Sequence, residues 1–399
     1  MTAGAATVPV VADAREALGV ATAFAERLAG TDAERDAQRL LPHAEIAELA
    51  ASGLLGVTVP RRFGGADLDA RTMGDLLATL AAADASIGQI PQNHYFFVQV
   101  LTEAAATEQQ RFFFAEVLAG RHFGNALSEK GTRTASEYAI RFEPRPGGDV
   151  LVDGTKYYAT GSPFAPWIPI YASDPEGRTV AAWVAADAPG VAVVDDWPGM
   201  GQRVTGSGTV RFDHVLVPGD RVVPVWTIFE RPEVFGAFGN YLHAAIDVGI
   251  AAAALRDGRA LVHTLARPWP EFGVERAADD PLVVQGFGDL ALRVRVARAA
   301  LHEAGDAIDA ARADLTATSA AEASVAVAAA RAVADDAAVG VSSDVFALVG
   351  ARAAADGLNL HRHWRNARTH TLHDPRRIKI QHIGRHALND IPPPSNGWI

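Results

Sequence analysis

One short segment near the C-terminus, residues 363–375 (HWRNARTHTLHDP), concentrates side chains that can do acid–base chemistry. It carries His363, His370 and His373 together with two arginines, an asparagine and Asp374. Histidine titrates near neutral pH, and such a density of ionisable groups is typical of the surroundings of an anion, a cofactor or a reacting centre. A solvated polar helix end has the same composition, so the segment alone leaves both interpretations open.

Two further histidines, His382 and His386, follow one helical turn apart. This spacing suits two zinc ligands on one helix face, but no third ligand accompanies them. We therefore predict no metal site.

The composition is that of a globular protein large enough for two or three domains. The chain has 399 residues, of which 49% are apolar and 21% charged, with a net charge of −11. The negative charge argues against a general nucleic-acid binder, and the lack of cysteine excludes disulfides and thiolate chemistry. The N-terminus lacks the pattern of a secretory signal, and no apolar run reaches the roughly 20 residues of a membrane helix. We therefore expect a cytoplasmic protein with no membrane or nucleic-acid partner.

Hydrophobic periodicity divides the chain into a helical part, a β part and a second helical part. In the first part, helical spacing of apolar residues covers the ranges 13–28, 42–52, 70–84, 88–105 and 108–118, and residues 57–60 are extended. Alternating apolar residues between turns then predict strands at 138–142, 150–152, 191–194 and 210–215.

The second helical part has the pattern of a four-helix bundle. Helices are predicted at 235–264, 281–309, 320–338 and 342–355, followed by a short one at 378–388. The predicted domains are 1–120 (all α), 121–222 (β) and 223–399 (helical bundle with an active-site tail).

Several short strings, in this order, resemble those of the acyl-CoA dehydrogenase superfamily. They include FGG at 63–65, LSEKG at 127–131, GTKYYAT at 154–160 and GQRVTGSG at 201–208. The resemblance covers nearly the whole chain and implies an N-terminal helical domain, a small antiparallel β-barrel and a C-terminal four-helix bundle. The expected fold class is therefore mainly α with a central β domain, and the resemblance adds a flavin cofactor and a homotetramer.

The resemblance also implies which residues contact the flavin. The Ser128 hydroxyl meets the pyrimidine edge, the Thr160 hydroxyl reaches N5, and Tyr158 lies against the ring system. Arg267 reaches the flavin phosphate of a neighbouring subunit. The remaining expected cofactor contacts are Asn125, Trp197, Ser207, Gly350, Arg352 and Arg368. Turn hydroxyls, a core aromatic and solvated or acid-paired arginines are the alternative interpretations of these residue types.

Position 374 departs from the dehydrogenases of this superfamily. Those enzymes remove a proton alpha to a thioester with a glutamate in a Tyr-Glu-Gly string, which falls here on His373, Asp374 and Pro375. Aspartate is one methylene shorter, and a base must lie within hydrogen-bond reach of its proton. Segment 363–375, with strings at 90–95, 124–130 and 160–167, instead resembles the superfamily's flavin-dependent monooxygenase branch. That branch includes dibenzothiophene monooxygenase and the sulfur-acquisition oxidoreductases.

The branch resemblance implies a two-component monooxygenase. A separate flavin reductase supplies reduced FMN, which reacts with O2 to give a C4a-hydroperoxide, and a small organosulfur compound is the expected substrate. His370 and His373 are the expected catalytic pair, one acting on the peroxide while the other sets its tautomer or holds the flavin. His94 is expected to approach from the N-terminal domain. Without the resemblance, a histidine on such an apolar helix is more often a hydrogen-bonded core residue.

Two other functions stay open at the level of the sequence. One is an FAD-dependent, acyl-CoA dehydrogenase-like oxidoreductase with Asp374 as its base. The other is a superfamily scaffold kept as a non-enzymatic binding protein.

Overall fold

Six α-helices precede the first strand in the computed structural model, which describes residues 8–134 and 137–396. They are α1 (Ala14–Leu28), α2 (Asp32–Gln38), α3 (His43–Ala51), α4 (Ala70–Ala83), α5 (Ala85–Ala104) and α6 (Thr107–Leu118). Three of them start at an aspartate whose carboxylate accepts hydrogen bonds from the first-turn N–H groups, namely Asp13, Asp69 and Asp84. Because Asp84 caps α5, this helix begins at Ala85 and not at the predicted Gly88.

Residues 57–60, predicted to be extended, form turns instead. They follow a 3-10 helix at Leu54–Gly56, and the Val57 and Val59 side chains are buried. The alternation of Val57 and Val59 predicts a strand, but the two valines are buried from a turn and a bend and not from a strand.

The β part consists of two antiparallel sheets that face each other. Its strands are β1 (Arg141–Pro144), β2 (Val150–Tyr157), β3 (Trp167–Ser173), β4 (Thr179–Ala185), β5 (Val191–Val194), β6 (Thr209–Val217) and β7 (Val222–Val223). The strand order is β1-β2-β6-β5 in one sheet and β3-β4-β7 in the other. Val152 and Phe212 of the first sheet share a buried core with Ile168, Ile170 and Ala182 of the second.

Strands β3 and β4 were not predicted, because they show no alternation of apolar and polar residues. Ile168 and Ile170 face the core between the sheets, whereas Trp167 and Trp183 on the other face pack against the aromatic residues of α5 and α6. A strand buried on both faces has no polar side to give a period of two.

Five helices make up the C-terminal part. They are α7 (Phe235–Thr264), α8 (Pro281–Ala313), α9 (Ala317–Val349), α10 (Arg362–His370) and α11 (Arg376–Asn389). The predicted helices at 320–338 and 342–355 are wrong as separate elements, since α9 runs through Gly340 and ends at Val349, where it is followed by Gly350 with a φ of +84°. Helices α7, α8 and α9 pack on one another, and α11 lies against α9 as the fourth helix.

Helix α7 is long and apolar enough to cross a membrane, but 89% of its most apolar window is buried inside the protein. It packs against α4, α5, α8 and α9. It is therefore the central core helix of this fold.

Helices α4, α7 and α8 approach closely around one tyrosine. Tyr241 of α7 is fully buried, and a Cβ placed on Gly74 of α4 would lie 2.0 Å from its hydroxyl oxygen. A Cβ on Gly305 of α8 would lie 2.7 Å from the same atom. Two glycines thus make the space for the Tyr241 side chain.

We predict opposite effects for two glycine-to-alanine substitutions in helices. Gly74→Ala should lower the free energy of unfolding by about 1–3 kcal/mol, because the new methyl group overlaps Tyr241. Gly19→Ala in α1, which meets no atom within 4 Å, should raise it by about 0.5–1 kcal/mol through helix propensity. Urea unfolding of both variants checks this; a stabilised Gly74→Ala protein would contradict the packing described here.

Candidate active site

Helix α10 lies where the three parts of the chain meet. The Asn366 side-chain oxygen accepts a hydrogen bond from the Gln202 backbone N–H at 2.6 Å, and the Gln202 amide donates to the Ala85 carbonyl at 3.3 Å. Gly201 is required at this contact, since a Cβ there would lie 1.9 Å from the Arg365 carbonyl oxygen. These contacts hold the loop at residues 199–208 of the β part against α10 and against the start of α5.

Ion pairs fix the N-terminal half of α10. Arg365 pairs with the buried Asp36 and donates to the Met200 carbonyl at 2.6 Å. Arg362 pairs with Asp32 at 2.7 Å. These two arginines therefore dock α10 on the N-terminal helices.

The C-terminal half of α10 carries His370 into a buried cluster with two residues of α7. His370 Nδ1 lies 2.6 Å from an Asp247 carboxylate oxygen, and its Nε2 lies 2.9 Å from His243 Nδ1. The His243 ring lies against the His373 ring, with centroids 4.2 Å apart and planes inclined by 33°. Asp247, His370 and His243 are buried, whereas the His373 side chain is 48% exposed.

The hydrogen bonds of this cluster determine where its protons lie. The Asp247 carboxylate can only accept, so His370 Nδ1 carries the hydrogen. Burial, with the nearby Arg331 and His373, holds the pKa of His370 well below its ordinary value, so its Nε2 is a bare acceptor. His243 Nδ1 must then donate to it. Burial and the same histidines also hold the pKa of His243 well below the ordinary value, which keeps that ring neutral.

Burial raises the pKa of Asp247, and the Arg331 guanidinium of α9 opposes this effect and balances the charge of the carboxylate. The Arg331 guanidinium, fully buried, forms an ion pair with Asp247 and also lies 3.0 Å from an Asp335 side-chain oxygen. Burial raises the pKa of Asp335 to about 8 against the pull of Arg331, and the Asp247 carboxylate adds to the rise. At neutral pH one arginine therefore balances one ionised carboxylate, and Asp335 retains its proton.

Asp374 is a buried carboxylate held in its ionised form. Its Oδ2 lies 3.2 Å from His373 Nδ1. Burial acts to raise its pKa, but His373, Lys379 and Arg331 outweigh burial and hold the pKa of Asp374 well below its usual range. Lys379 also donates to the Asn240 side chain at 2.8 Å.

His94 lies in α5 and is engaged by the backbone through both ring nitrogens. Its Nε2 contacts the Leu55 carbonyl oxygen at 2.8 Å, and its Nδ1 accepts from the Phe123 N–H at 3.2 Å. Burial lowers the pKa of His94 to about 3. The expected catalytic role of His94 is not supported by these contacts, because neither nitrogen is free and the ring stays neutral. This geometry is that of a core histidine that links α5 to the start of the β part.

Three hydroxyl groups form a row at the end of β2 and before β6. Thr160 Oγ1 lies 2.7 Å from Ser207 Oγ, which lies 2.6 Å from Thr205 Oγ1. The Tyr158 ring, 53% exposed and at a positive φ of 56°, meets the Trp197 ring edge-on at 5.7 Å. Four of the expected cofactor contacts thus come from one region of the β part.

Asn125 and Ser128 precede this row in the chain and lie beside it. The Asn125 backbone is bonded to the Ser162 hydroxyl, but its side-chain oxygen is buried with no hydrogen-bond partner among the described residues. Ser128 pairs with Tyr157 at the end of β2 through its carbonyl oxygen. A buried acceptor without a partner costs free energy unless a ligand or water satisfies it, so Asn125 suits a bound ligand.

Three other expected contacts form a separate, exposed group. The Arg352 guanidinium donates to the Leu265 carbonyl at 3.1 Å, which joins the end of α9 at Gly350 to the α7–α8 connection that contains Arg267. Arg267 itself is exposed. Arg368, by contrast, stays in α10 and donates to the Thr371 hydroxyl at 2.8 Å.

Comparisons with known proteins place this geometry in a family. Models of the N-terminal and C-terminal domains of acyl-CoA dehydrogenase match residues 13–121 and 241–375. The chain belongs to the acyl-CoA dehydrogenase family. Dibenzothiophene monooxygenase of Rhodococcus erythropolis is 32% identical to it, in an alignment that covers 93% of each protein.

Two further members of this acyl-CoA dehydrogenase family are equally similar. The FMN-bound TdsC of Paenibacillus sp. A11-2 superposes with a TM-score of 0.90 at 31% identity, over 96% of this chain and 100% of that one. A Pseudomonas putida protein named probable FMNH2-dependent monooxygenase SfnC is 30% identical over 96% of this chain and 98% of its own length. The predicted fold class and the predicted monooxygenase branch are both confirmed.

Sequence reasoning missed four residues of this family member's site. His243 and Asp247 stand one turn apart in α7, and Arg331 and Asp335 stand one turn apart in α9. The sequence feature that could have revealed them is their position within mostly apolar helices. Ionisable residues in such helices are rarely buried unless they have partners.

We predict that Asp335 makes stability depend on pH. Its pKa of about 8 in the folded protein lies above the ordinary 3.8, so its contribution is present at low pH and is lost as the pH rises through about 8. The parent should lose at least about 1 kcal/mol of unfolding free energy between pH 6 and pH 8 through this group. Asp335→Asn, which cannot ionise, should flatten the curve measured by urea unfolding. Asp336→Asn, at the exposed neighbour, should leave it unchanged; equal curves for parent and Asp335→Asn would contradict the assignment.

Proposed function

We propose that the chain is a two-component monooxygenase that uses reduced FMN and O2 to oxidise a small organosulfur compound. The observation that carries the proposal is the exposed His373, which is backed by two neutral histidines and stands next to Asp374, the residue at the position of the glutamate of the family's dehydrogenases. The similarity to a dibenzothiophene monooxygenase over 93% of both chains supports the same reaction class.

The residues of the β part fit a flavin. The Thr160 and Ser207 hydroxyls offer hydrogen bonds, and the buried Asn125 oxygen has no partner among the described residues. The exposed Tyr158 ring and the half-buried Trp197 ring offer an aromatic surface. These groups, with Ser128, would hold the isoalloxazine ring. Reduced FMN bound there supplies electrons to O2, and the protein residues bind it, orient it and exclude water.

We assign the remaining expected contacts to the same cofactor. Arg368, with its buried Nε atom unpaired among the described residues, is available to an anionic group. The exposed group of Arg267, Gly350 and Arg352 would serve the flavin of a neighbouring subunit in a homotetramer. A separate flavin reductase would supply the reduced FMN, and we place the protein in the cytoplasm.

His373 is the histidine placed to contact reactants. It is exposed, and its Nδ1 faces the ionised Asp374, so a proton taken up by the ring has an adjacent counter-charge. His370 is enclosed, with one nitrogen on Asp247 and the other on His243. In this arrangement His373 exchanges a proton with the reacting oxygen, and His370 positions it.

The acyl-CoA dehydrogenase alternative is less well supported by the geometry. It requires Asp374 to take a proton from a carbon atom, but the pKa of this carboxyl lies well below its usual range because His373, Lys379 and Arg331 stabilise the ionised form. A carboxylate so stabilised is a weak base. The similarity to butyryl-CoA dehydrogenase of Megasphaera elsdenii, at 20% identity, concerns the fold alone.

The proposal is tested by turnover with a flavin reductase, NADH, FMN and a panel of sulfur compounds that includes dibenzothiophene and dimethyl sulfone. Oxygenated sulfur product, formed only when both proteins are present, is the expected result. If every compound remains unchanged and all the O2 consumed appears as hydrogen peroxide, the monooxygenase proposal is wrong. Anaerobic bleaching of bound FAD by an acyl-CoA would instead support the dehydrogenase.

His373→Ala should reduce oxygenated product per reduced FMN at least about tenfold, because a positioned acid–base group contributes about 10²–10⁴-fold. Hydrogen peroxide should rise in proportion. The control is His386→Ala, on α11 and 4.0 Å from Glu322, which should behave as the parent does. Product yield and peroxide are measured together; an unchanged yield in His373→Ala would remove this residue from the reaction.

Thr160→Val should weaken the binding of reduced FMN by about 3–10-fold, since the loss of one hydrogen bond costs about 0.5–1.5 kcal/mol. Anaerobic fluorescence titration measures the dissociation constant. Thr155→Val, in the middle of β2 and away from the hydroxyl row, is the matched control. Titration of the parent with FAD should give weaker binding than with FMN; the reverse order would contradict the choice of cofactor.

A further inference from the structure

His243 is the member of the histidine cluster whose role the proposed reaction leaves open. It lies in α7, is 5% exposed, and contacts both of the other histidines. Its Nδ1 donates to His370, and no group of the described residues hydrogen-bonds to its Nε2. Its ring face, in contrast, covers the ring of His373 at a centroid distance of 4.2 Å.

The contacts of His373 show what holds its ring. His373 follows the end of α10, so its backbone is not within a helix. Half of its side chain is exposed, and among the described residues its ring makes one hydrogen bond, the 3.2 Å contact with its neighbour Asp374. Its backbone N–H donates to the His370 carbonyl oxygen at 3.1 Å. The stacking on His243 is therefore the contact that ties this exposed ring to the rigid core of the helical bundle.

The orientation of the His243 ring is itself fixed. The hydrogen bond to His370 sets the direction of Nδ1, and the 2.6 Å hydrogen bond from His370 to Asp247 sets the proton positions of both rings. Arg331 of α9 holds Asp247 in turn. A chain of directed contacts thus runs from the centre of the bundle to the underside of His373.

We propose that His243 is a positioning residue for His373: its uncharged ring, fixed by His370 and Asp247, is the surface that holds the His373 ring in its reactive orientation. The inference rests on the proposed function only for what His373 does with reactants. The stacking and its origin are properties of the resting protein.

The charges around the pair allow this arrangement. Asp374 faces His373 directly, Lys379 of α11 lies beside Asp374 and Asn240, and Arg331 and Asp335 of α9 lie behind His370. A second cation directly beneath His373 would repel a proton on its ring. A neutral, flat His243 avoids this repulsion and still provides an extended contact surface.

Two variants separate the ring surface from the hydrogen bond. His243→Phe keeps a flat neutral ring under His373 but cannot donate to His370, whereas His243→Asn offers an amide N–H near the position of Nδ1 but has no ring. If His243 positions His373, the phenylalanine variant unfolds at a lower urea concentration yet keeps most of the product yield. The asparagine variant keeps the unfolding midpoint and loses the yield at least tenfold, with the dissociation constant for reduced FMN unchanged.

The opposite pattern would overturn the proposal. If activity follows stability, so that His243→Asn is active and His243→Phe is not, the residue merely supports His370. Equal activity of both variants and the parent would also overturn it. His386→Ala again serves as the control that should match the parent.

A readout without cofactor separates failure of this inference from failure of the proposed function. NMR of histidine-labelled, flavin-free protein should show contacts between ring protons at position 243 and those of His373 in the parent and in His243→Phe. His243 and His370 should both show the Nδ1–H tautomer in the parent, and the His373 signals should move in His243→Asn alone. An Nε2–H tautomer at His243, or unmoved His373 signals in His243→Asn, would contradict the positioning role even if the enzyme oxidises sulfur compounds.

Discussion

The structure depends on one buried charge, the Asp247 carboxylate in the middle of the longest core contact. Helices α7 and α9 pack along their lengths, and Asp247 is fully enclosed between them. A lone ion there would be strongly unfavourable, so its partners determine what packs around it. Arg331 fixes α9 against α7, and His370 fixes α10. The contacts of one carboxylate therefore join α9 and α10 to α7 and also form the underside of the candidate site.

A carboxylate at position 247 accepts a hydrogen bond from His370, which an apolar residue could not do. Replacing such buried pairs by well-packed apolar side chains often leaves stability unchanged or raises it. An apolar residue at 247 would, however, leave His370 Nδ1 without an acceptor and its tautomer unspecified. The Asp247–Arg331 pair therefore matters mainly because it orients His370 and, through His370, His243. Its contribution to stability is secondary.

Much of the fold was predictable, because the periodicity of apolar residues in the sequence agrees with the helices of the structure. The start of α4 at residue 70 and the whole span of α7 follow from the sequence pattern, and segment 363–375 contains two histidines of the candidate site. The misses have specific causes. Strands β3 and β4 are buried on both faces and have no alternation. The sequence prediction divided α9 at Gly340, because glycine disfavours a helix interior. The packing of α9 against α7 and α8 keeps the helix continuous there.

The candidate site was predicted only in part, because its geometry depends on contacts between residues that are far apart in the sequence. His370 and His373 belong to one recognisable string, but His243 and Asp247 stand more than a hundred positions earlier, in a helix that reads as plain core. His94 illustrates the converse. Its string suggested chemistry, and only the two backbone contacts show that both nitrogens are already used.

The replacement of the family's glutamate base by aspartate has a consistent electrostatic meaning here. Asp374 is ionised, beside His373 and near Lys379, and so acts as a counter-ion. With Asp335 protonated, Arg331 balances Asp247 and Lys379 balances Asp374, which leaves the surroundings of His373 close to neutral. A dehydrogenase of this family needs a carboxylate that can take up a proton, whereas Asp374 is held in its ionised form beside the exposed imidazole of His373.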